Sequence, residues 1–129
     1  MSRAATNIFV VDDDESVRKS LWRLLRSAGF EVRTFASAAE FLAVAPTCGA
    51  GVLVLDLRMP LMNGLELQRH LRADGNRIPI IVITAHDGDD ARADAMAAGA
   101  VGFIRKPFED ETLLSLIDAA LAGGGLPGA

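Results

Sequence analysis

The chain has 129 residues, half of them apolar, with 13 basic and 17 acidic side chains and a net charge of -4. That size suits one domain with a real core, while the acidic balance and six Phe, one Trp and no Tyr exclude a duplex-binding footprint and an aromatic platform for single strands. A single cysteine, Cys48, excludes an intrachain disulfide or multi-cysteine metal site, and without a signal-like leader or an apolar run near the roughly 18 residues of a membrane span the expected compartment is the cytoplasm.

Residues 7–12, NIFVVD, predict a first strand, rich in β-branched and aromatic side chains. From Ser16 the period changes: Val17, Leu21, Leu24, Leu25 and Ala28 mark one helix face, and Gly29 is a natural stop. Residues 31–35, EVRTF, alternate like a half-exposed strand. Ser37 with Glu40 three later spells a capping box and opens a short helix towards Pro46. Residues 51–56, GVLVLD, run apolar without alternation, the mark of a strand covered on both faces.

After a loop at 58–64, RMPLMNG, a brief helix spans 65–71 and a strongly apolar strand spans 78–84. A polar loop, 85–90, leads to an Ala-rich helix over 91–98 closed by Gly99. A short strand within 101–107 ends at Pro107, and Glu109 and Asp110 lead a final helix whose apolar side is Leu113, Leu114, Leu116, Ile117 and Leu121. Residues 1–122 thus form one domain, and 123–129, GGGLPGA, a flexible tail or the start of a linker. Strict alternation of five strands and five helices predicts an α/β domain with a parallel sheet covered by helices on both faces.

In such sheets ligands bind outside the carboxyl ends of the strands. Here those ends carry Asp12 and Asp13, then Asp56, Thr84 and Lys106, whereas the second strand ends without a comparable polar group. Three carboxylates and an ammonium on one rim suit a hard divalent cation such as Mg²⁺, with Thr84 and Lys106 suited to phosphate oxygens. A carboxylate is itself a competent nucleophile in phosphoryl transfer. Asp14 and Glu15 fall at the start of the first helix, where the helix dipole stabilises acids.

The stretches VVDDDES, VLVLDLRMPLMNGLEL, IPIIVITAH and AVGFIRKPFEDETLL occur in this order, each at a strand end. In them the sequence resembles the receiver domain of two-component response regulators, and in wording the FixJ-type group in particular. The resemblance implies a doubly wound, flavodoxin-like sheet of order 2-1-3-4-5 and a switch phosphorylated by a sensor histidine kinase on Asp56. It implies Mg²⁺ (or Mn²⁺) held by Asp13 and Asp56 directly, by Asp12 through water, and by the backbone carbonyl of Arg58. It further implies that Thr84 and Lys106 bind the phosphoryl oxygens, that Pro107 follows a cis peptide, and that Phe103 swings inward with Thr84. Arg58 and His86 take positions that border the phosphoryl pocket in the family, although each reads equally well as an exposed loop residue.

The output implied is a homodimer on phosphorylation, formed through the fourth helix and fifth strand. DNA is then controlled only through an effector domain outside this chain, and no membrane is involved. The alternative is a stand-alone receiver in a phosphorelay, or an interaction module. In neither case is the chain an enzyme beyond its own phosphorylation and dephosphorylation. Two rival chemistries fit less well. A haloacid-dehalogenase-type phosphatase wants an acid two residues after its nucleophile, where Asp56 is followed by Leu57 and Arg58. A flavin mononucleotide binder wants a Ser/Thr/Gly loop where this chain has four acids.

Overall fold

The computed structural model describes residues 6–45, 51–85 and 89–124. Its elements alternate: β1 (Asn7–Val11), α1 (Glu15–Ser27), β2 (Glu31–Phe35), α2 (Ala38–Val44), β3 (Gly51–Asp56), α3 (Gly64–Ala73), β4 (Ile80–Thr84), α4 (Asp89–Ala97), β5 (Gly102–Arg105) and α5 (Asp110–Gly124). The five strands form one parallel sheet, as their alternation with helices predicts, in the order β2-β1-β3-β4-β5 that the family resemblance implies. Every residue of β3 and β4 is buried, whereas the edge strand β2 alternates between exposed and partly covered positions from Glu31 to Thr34 and is buried only at Phe35.

The sheet separates two apolar layers. Phe9, Leu53, Leu55 and Val82 face Phe41 of α2, Leu67 and Leu71 of α3 and Ala95 of α4. Ile8, Val10, Val52, Val54, Ile81 and Ile83 face Leu21 and Leu25 of α1 and Leu113 and Ile117 of α5. Because side chains alternate along a strand, each β3 residue from Val52 to Leu55 feeds one layer only.

Local signals explain most element ends, and some differ from expectation. Asp14 is the N-cap of α1: its carboxylate accepts from the amides of Ser16 (2.8 Å) and Val17 (3.4 Å) and from the Ser16 hydroxyl (2.7 Å). These bonds, the Ser16 hydroxyl first, hold the Asp14 carboxyl below the usual range. Ser37 caps α2, but Glu40 reaches the amide of Ala36 rather than that of Ser37, so the box expected there does not close. The box closes instead at α3, where Asn63 and Glu66 bond reciprocally at 2.9 Å. That cap starts α3 one residue before the 65–71 helix expected, and the helix runs on to Ala73.

β4 starts at Ile80, not at residue 78, because Pro79 has no amide to donate and offers only its carbonyl, to the Leu53 amide at 2.9 Å. Helix α4 starts at Asp89, two residues earlier than expected, and β5 is confined to Gly102–Arg105. Helix α5 runs to Gly124, two residues into the stretch read as a tail or linker. Cys48 and residues 125–129 lie outside the described residues.

Candidate functional site

Register brings the strand ends level. Val11 pairs with Leu55, Asp56 with Ile83 and Thr84 with Arg105. The residues that follow β1 and β5 therefore emerge beside Asp56. Asp12 remains tied to the sheet through its amide, which donates to the Phe35 carbonyl at 3.1 Å, and Lys106 through its amide, which donates to the Thr84 carbonyl at 2.8 Å. The peptide between Lys106 and Pro107 is cis. Gly64 lets α3 begin against the end of β3: a Cβ at that position would stand 2.5 Å from the Asp56 carbonyl oxygen and 2.9 Å from the Leu57 Cα.

Asp12, Asp13 and Asp56 offer carboxylate oxygens that lie within 4.8 Å of one another. Their environments differ. Asp12 is fully buried and both its oxygens are engaged, Oδ1 by the Asp14 amide and Oδ2 by the Lys106 ammonium, each at 2.9 Å. The Arg18 guanidinium also donates to the Asp12 carbonyl at 2.8 Å, which fixes the turn from the α1 side. Asp13 is exposed and points its carboxylate at the group from the solvent side.

Asp56 is buried, and its Oδ1 accepts from the Arg58 amide at 3.3 Å and lies 3.9 Å from the Lys106 ammonium. Burial first, and then the Asp12 charge, push its carboxyl up to about 6, with Asp13 adding to the push. Lys106 and the Arg58 amide pull the other way without cancelling it. The Asp56 carboxyl is thus held well above the usual carboxylate range, and the Lys106 ammonium is shared between Asp12 and Asp56.

Thr84 is fully buried at the end of β4, and a cleft of 540 Å³ runs past it, lined by Asp13, Arg58, Met59, Pro60, Asn63 and Asp94 among others. Phe103 is half-buried in β5 and packs against the layer under α3 and α4. Pro107 is exposed, and so is Arg58. His86 lies outside the described residues.

The structure thus gathers Asp12, Asp13, Asp56, Thr84 and Lys106 on one rim, and leaves Phe103 one layer away. The sequence reading missed Gly64 and the Asn63 cap, which fix the loop that follows Asp56. It also missed Gln68, a fully buried side chain on α3 that donates to the Ala95 carbonyl of α4 at 3.1 Å. A spelling for the cap was present, Asn63 with Glu66 three residues later; Gly64 and Gln68 depend on tertiary neighbours that no local pattern shows.

Comparison with known proteins agrees with this geometry. Residues 8–118 match the family described as response regulator receiver domain. The response regulator protein TodT of Pseudomonas putida is 46% identical over 121 residues, which cover 94% of this chain and 53% of TodT. The transcriptional regulatory protein FixJ of Rhizobium meliloti is 50% identical over 113 residues, 88% of this chain and 55% of FixJ. The chain spans about half the length of these curated relatives. Among solved structures, that titled FixJ-N superposes with a TM-score of 0.85 at 50% identity and covers 89% of this chain and 92% of its own.

Proposed function

The chain belongs to the response regulator receiver domain family, and from that premise we propose that Asp56 is its phospho-acceptor, with a sensor histidine kinase as donor. One observation carries the assignment. Three carboxylates from two strand ends converge within 4.8 Å, and Lys106 lies between Asp12 and Asp56. No structural need explains gathering like charges beside a buried carboxylate whose ionisation burial already opposes.

The donor set suits Mg²⁺ (or Mn²⁺). All three groups are hard oxygen donors, and with Lys106 they leave two negative charges uncompensated. Asp12 has both oxygens engaged, which fits a ligand acting through water, whereas Asp13 and Asp56 present oxygens to the group. The Arg58 carbonyl completes the proposed set. When bound, the cation neutralises charge on the transferring phosphoryl group.

The chain's own groups do the rest. Oδ2 of Asp56, which carries neither the Arg58 nor the Lys106 contact, attacks phosphorus in line with the bond to the donor imidazole. The new O–P bond forms as the P–N bond breaks, and the electron pair leaves on the imidazole nitrogen, which is then protonated. The Arg58 amide holds Asp56 in aim, Lys106 pairs with phosphoryl oxygens, and the Thr84 hydroxyl turns to donate to one of them. Arg58 lines the cleft and tunes how readily water reaches the acyl phosphate, a role that the family resemblance extends to His86.

Phe103 follows Thr84 inward and alters the surface of α4 and β5, a two-state element biased by a local charge. Met96 and Val101 already expose apolar surface on that quarter, at 42% and 51%, which supports dimerisation there. The output is then cytoplasmic control of DNA through an effector outside these residues.

The test is intact-mass spectrometry after incubation with acetyl phosphate and Mg²⁺. Wild type should gain one phosphoryl group and, on size exclusion, elute as a dimer; Asp56→Asn and metal-free samples should gain none. An adduct on Asp56→Asn, or none on wild type, overturns the acceptor assignment.

A further inference from the structure

The two residues that flank Asp13 are pinned, and its own side chain is not. Every polar atom of Asp12 has a partner. Its amide donates to the Phe35 carbonyl, its carboxylate accepts from the Asp14 amide and the Lys106 ammonium, and its carbonyl accepts from Arg18 Nη1. Asp14 is held as the cap of α1, with its carboxylate on Ser16 and Val17 and its carbonyl on the Arg18 amide at 3.0 Å. The exposed Asp13 carboxylate accepts no hydrogen bond from the described residues, although it reaches the group formed with Asp12 and Asp56.

Without Arg18 this turn would keep one freedom. The amide and side chain of Asp12 are fixed, and so is the Asp14 amide. The rigid peptide between Asp12 and Asp13 could still swivel as a unit, carrying the Asp13 amide with it. The oxygen of that peptide would report the swivel, and it is the atom that Arg18 holds, at 2.8 Å. This contact is the one hydrogen bond of the Arg18 guanidinium among the described residues.

We propose that Arg18 is a positioning residue of the cation site: by locking the Asp12–Asp13 peptide it aims the Asp13 carboxylate at the ion shared with Asp56. The inference rests on the Mg²⁺ reading above and deepens it. Mg²⁺ demands near-ideal octahedral geometry, whereas Ca²⁺ accepts varied arrangements, so a loose ligand costs Mg²⁺ more. Charge alone argues for the opposite sign. A fixed cation near the site repels an incoming one, so removing only its charge would tighten binding.

The test is Mg²⁺ binding to unphosphorylated protein, read by isothermal titration calorimetry. Wild type should bind one ion, and Asp13→Asn should bind far more weakly. Arg18→Met keeps an apolar stem and loses both donor and charge. It should bind Mg²⁺ about tenfold more weakly, the lower end of what partners behind metal ligands contribute. Its Ca²⁺ affinity should fall by less than about threefold, so the preference for Mg²⁺ narrows. Because the contact is single rather than forked, Arg18→Lys should stay within about threefold of wild type for Mg²⁺. Urea unfolding checks that each variant is folded, and the shorter, uncharged Arg18→Gln, with the same expected loss, replaces Arg18→Met if that variant does not fold. Unchanged or tighter Mg²⁺ binding overturns the proposal, and so does an equal loss for Mg²⁺ and Ca²⁺. Failure of wild type to bind Mg²⁺ strikes the cation reading itself, and this inference with it.

Discussion

β3 and α4 are attached to the molecule in opposite ways. All six residues of β3 are buried, and the strand is bonded to β1 on one side and β4 on the other. Of the α4 side chains described, Ala95 alone is buried, and the helix is fastened near its C-terminal end. The ties there are Gln68 to the Ala95 carbonyl and the Arg72 guanidinium to the Gly99 carbonyl, at 3.1 and 3.2 Å. Asp56, the proposed acceptor, thus ends the fully enclosed strand, whereas α4, proposed to report on it, is lightly held. A local change of charge can shift a weakly held helix at a free-energy cost that would leave a buried strand in place.

The largest effect that sharpens this contrast comes from Asp56 itself. Its folded pKa, about 6, lies above the ordinary 3.8, so the folded state binds the proton more tightly than the unfolded one. The Asp56 contribution to the stability of metal-free protein is therefore most unfavourable above pH 6, and that penalty is relieved as pH falls from about 6 to about 4. Asp56→Asn should then stabilise metal-free protein by up to about 3 kcal/mol at pH 7.5 and by little at pH 4, read from urea unfolding. Equal effects at both pH values would show that burial does not oppose the charge.

A smaller change aims at the rigid side. Gly64→Ala places a methyl group against the Asp56 carbonyl and the Leu57 Cα, both backbone. It should destabilise the fold by about 2 kcal/mol and slow acetyl phosphate labelling, because the acceptor must shift to make room. Unchanged stability would mean that β3 and α3 separate easily.

The smallest change touches the weak side. Gln68 has one carboxamide oxygen without a hydrogen bond among the described residues. Replacing the amide by Leu removes that buried oxygen together with the tie to Ala95, so global stability should move by less than about 1 kcal/mol. Amide exchange in α4 should nevertheless speed up several-fold while β3 exchange stays fixed. Equal acceleration in both elements would erase the distinction between them.

The sequence carried the rim plainly, for a reason visible in its spelling. A buried parallel strand is a run of apolar residues, so the first polar residue after it marks where chemistry is presented, as Asp12, Asp56 and Thr84 each do. Polar residues inside helices carry no such mark. Gln68 lies one position from Leu67 and Arg72 one from Leu71, so both read as the solvent side of α3. Gln68 is nonetheless fully buried, and Arg72 spends its guanidinium on the carbonyls of Asn76, Ile78 and Gly99. The start of α4 was misplaced because its apolar pattern is weak, the same property that leaves the helix lightly attached. Arg18 reads as one more polar residue of α1 until its bond to the Asp12 carbonyl is known.

The sheet also has an engineering consequence. It is a wall one residue thick, and the side chains on its two faces belong to separate layers. Substitutions in the α1–α5 layer should accordingly combine additively with those in the α3–α4 layer. The molecule is then modular across its thinnest dimension. The face carrying Trp22, Arg23 and Arg26 can be redesigned for a new surface while Arg18, which holds the Asp12 turn, is kept and the Asp56 rim and α4 keep their settings.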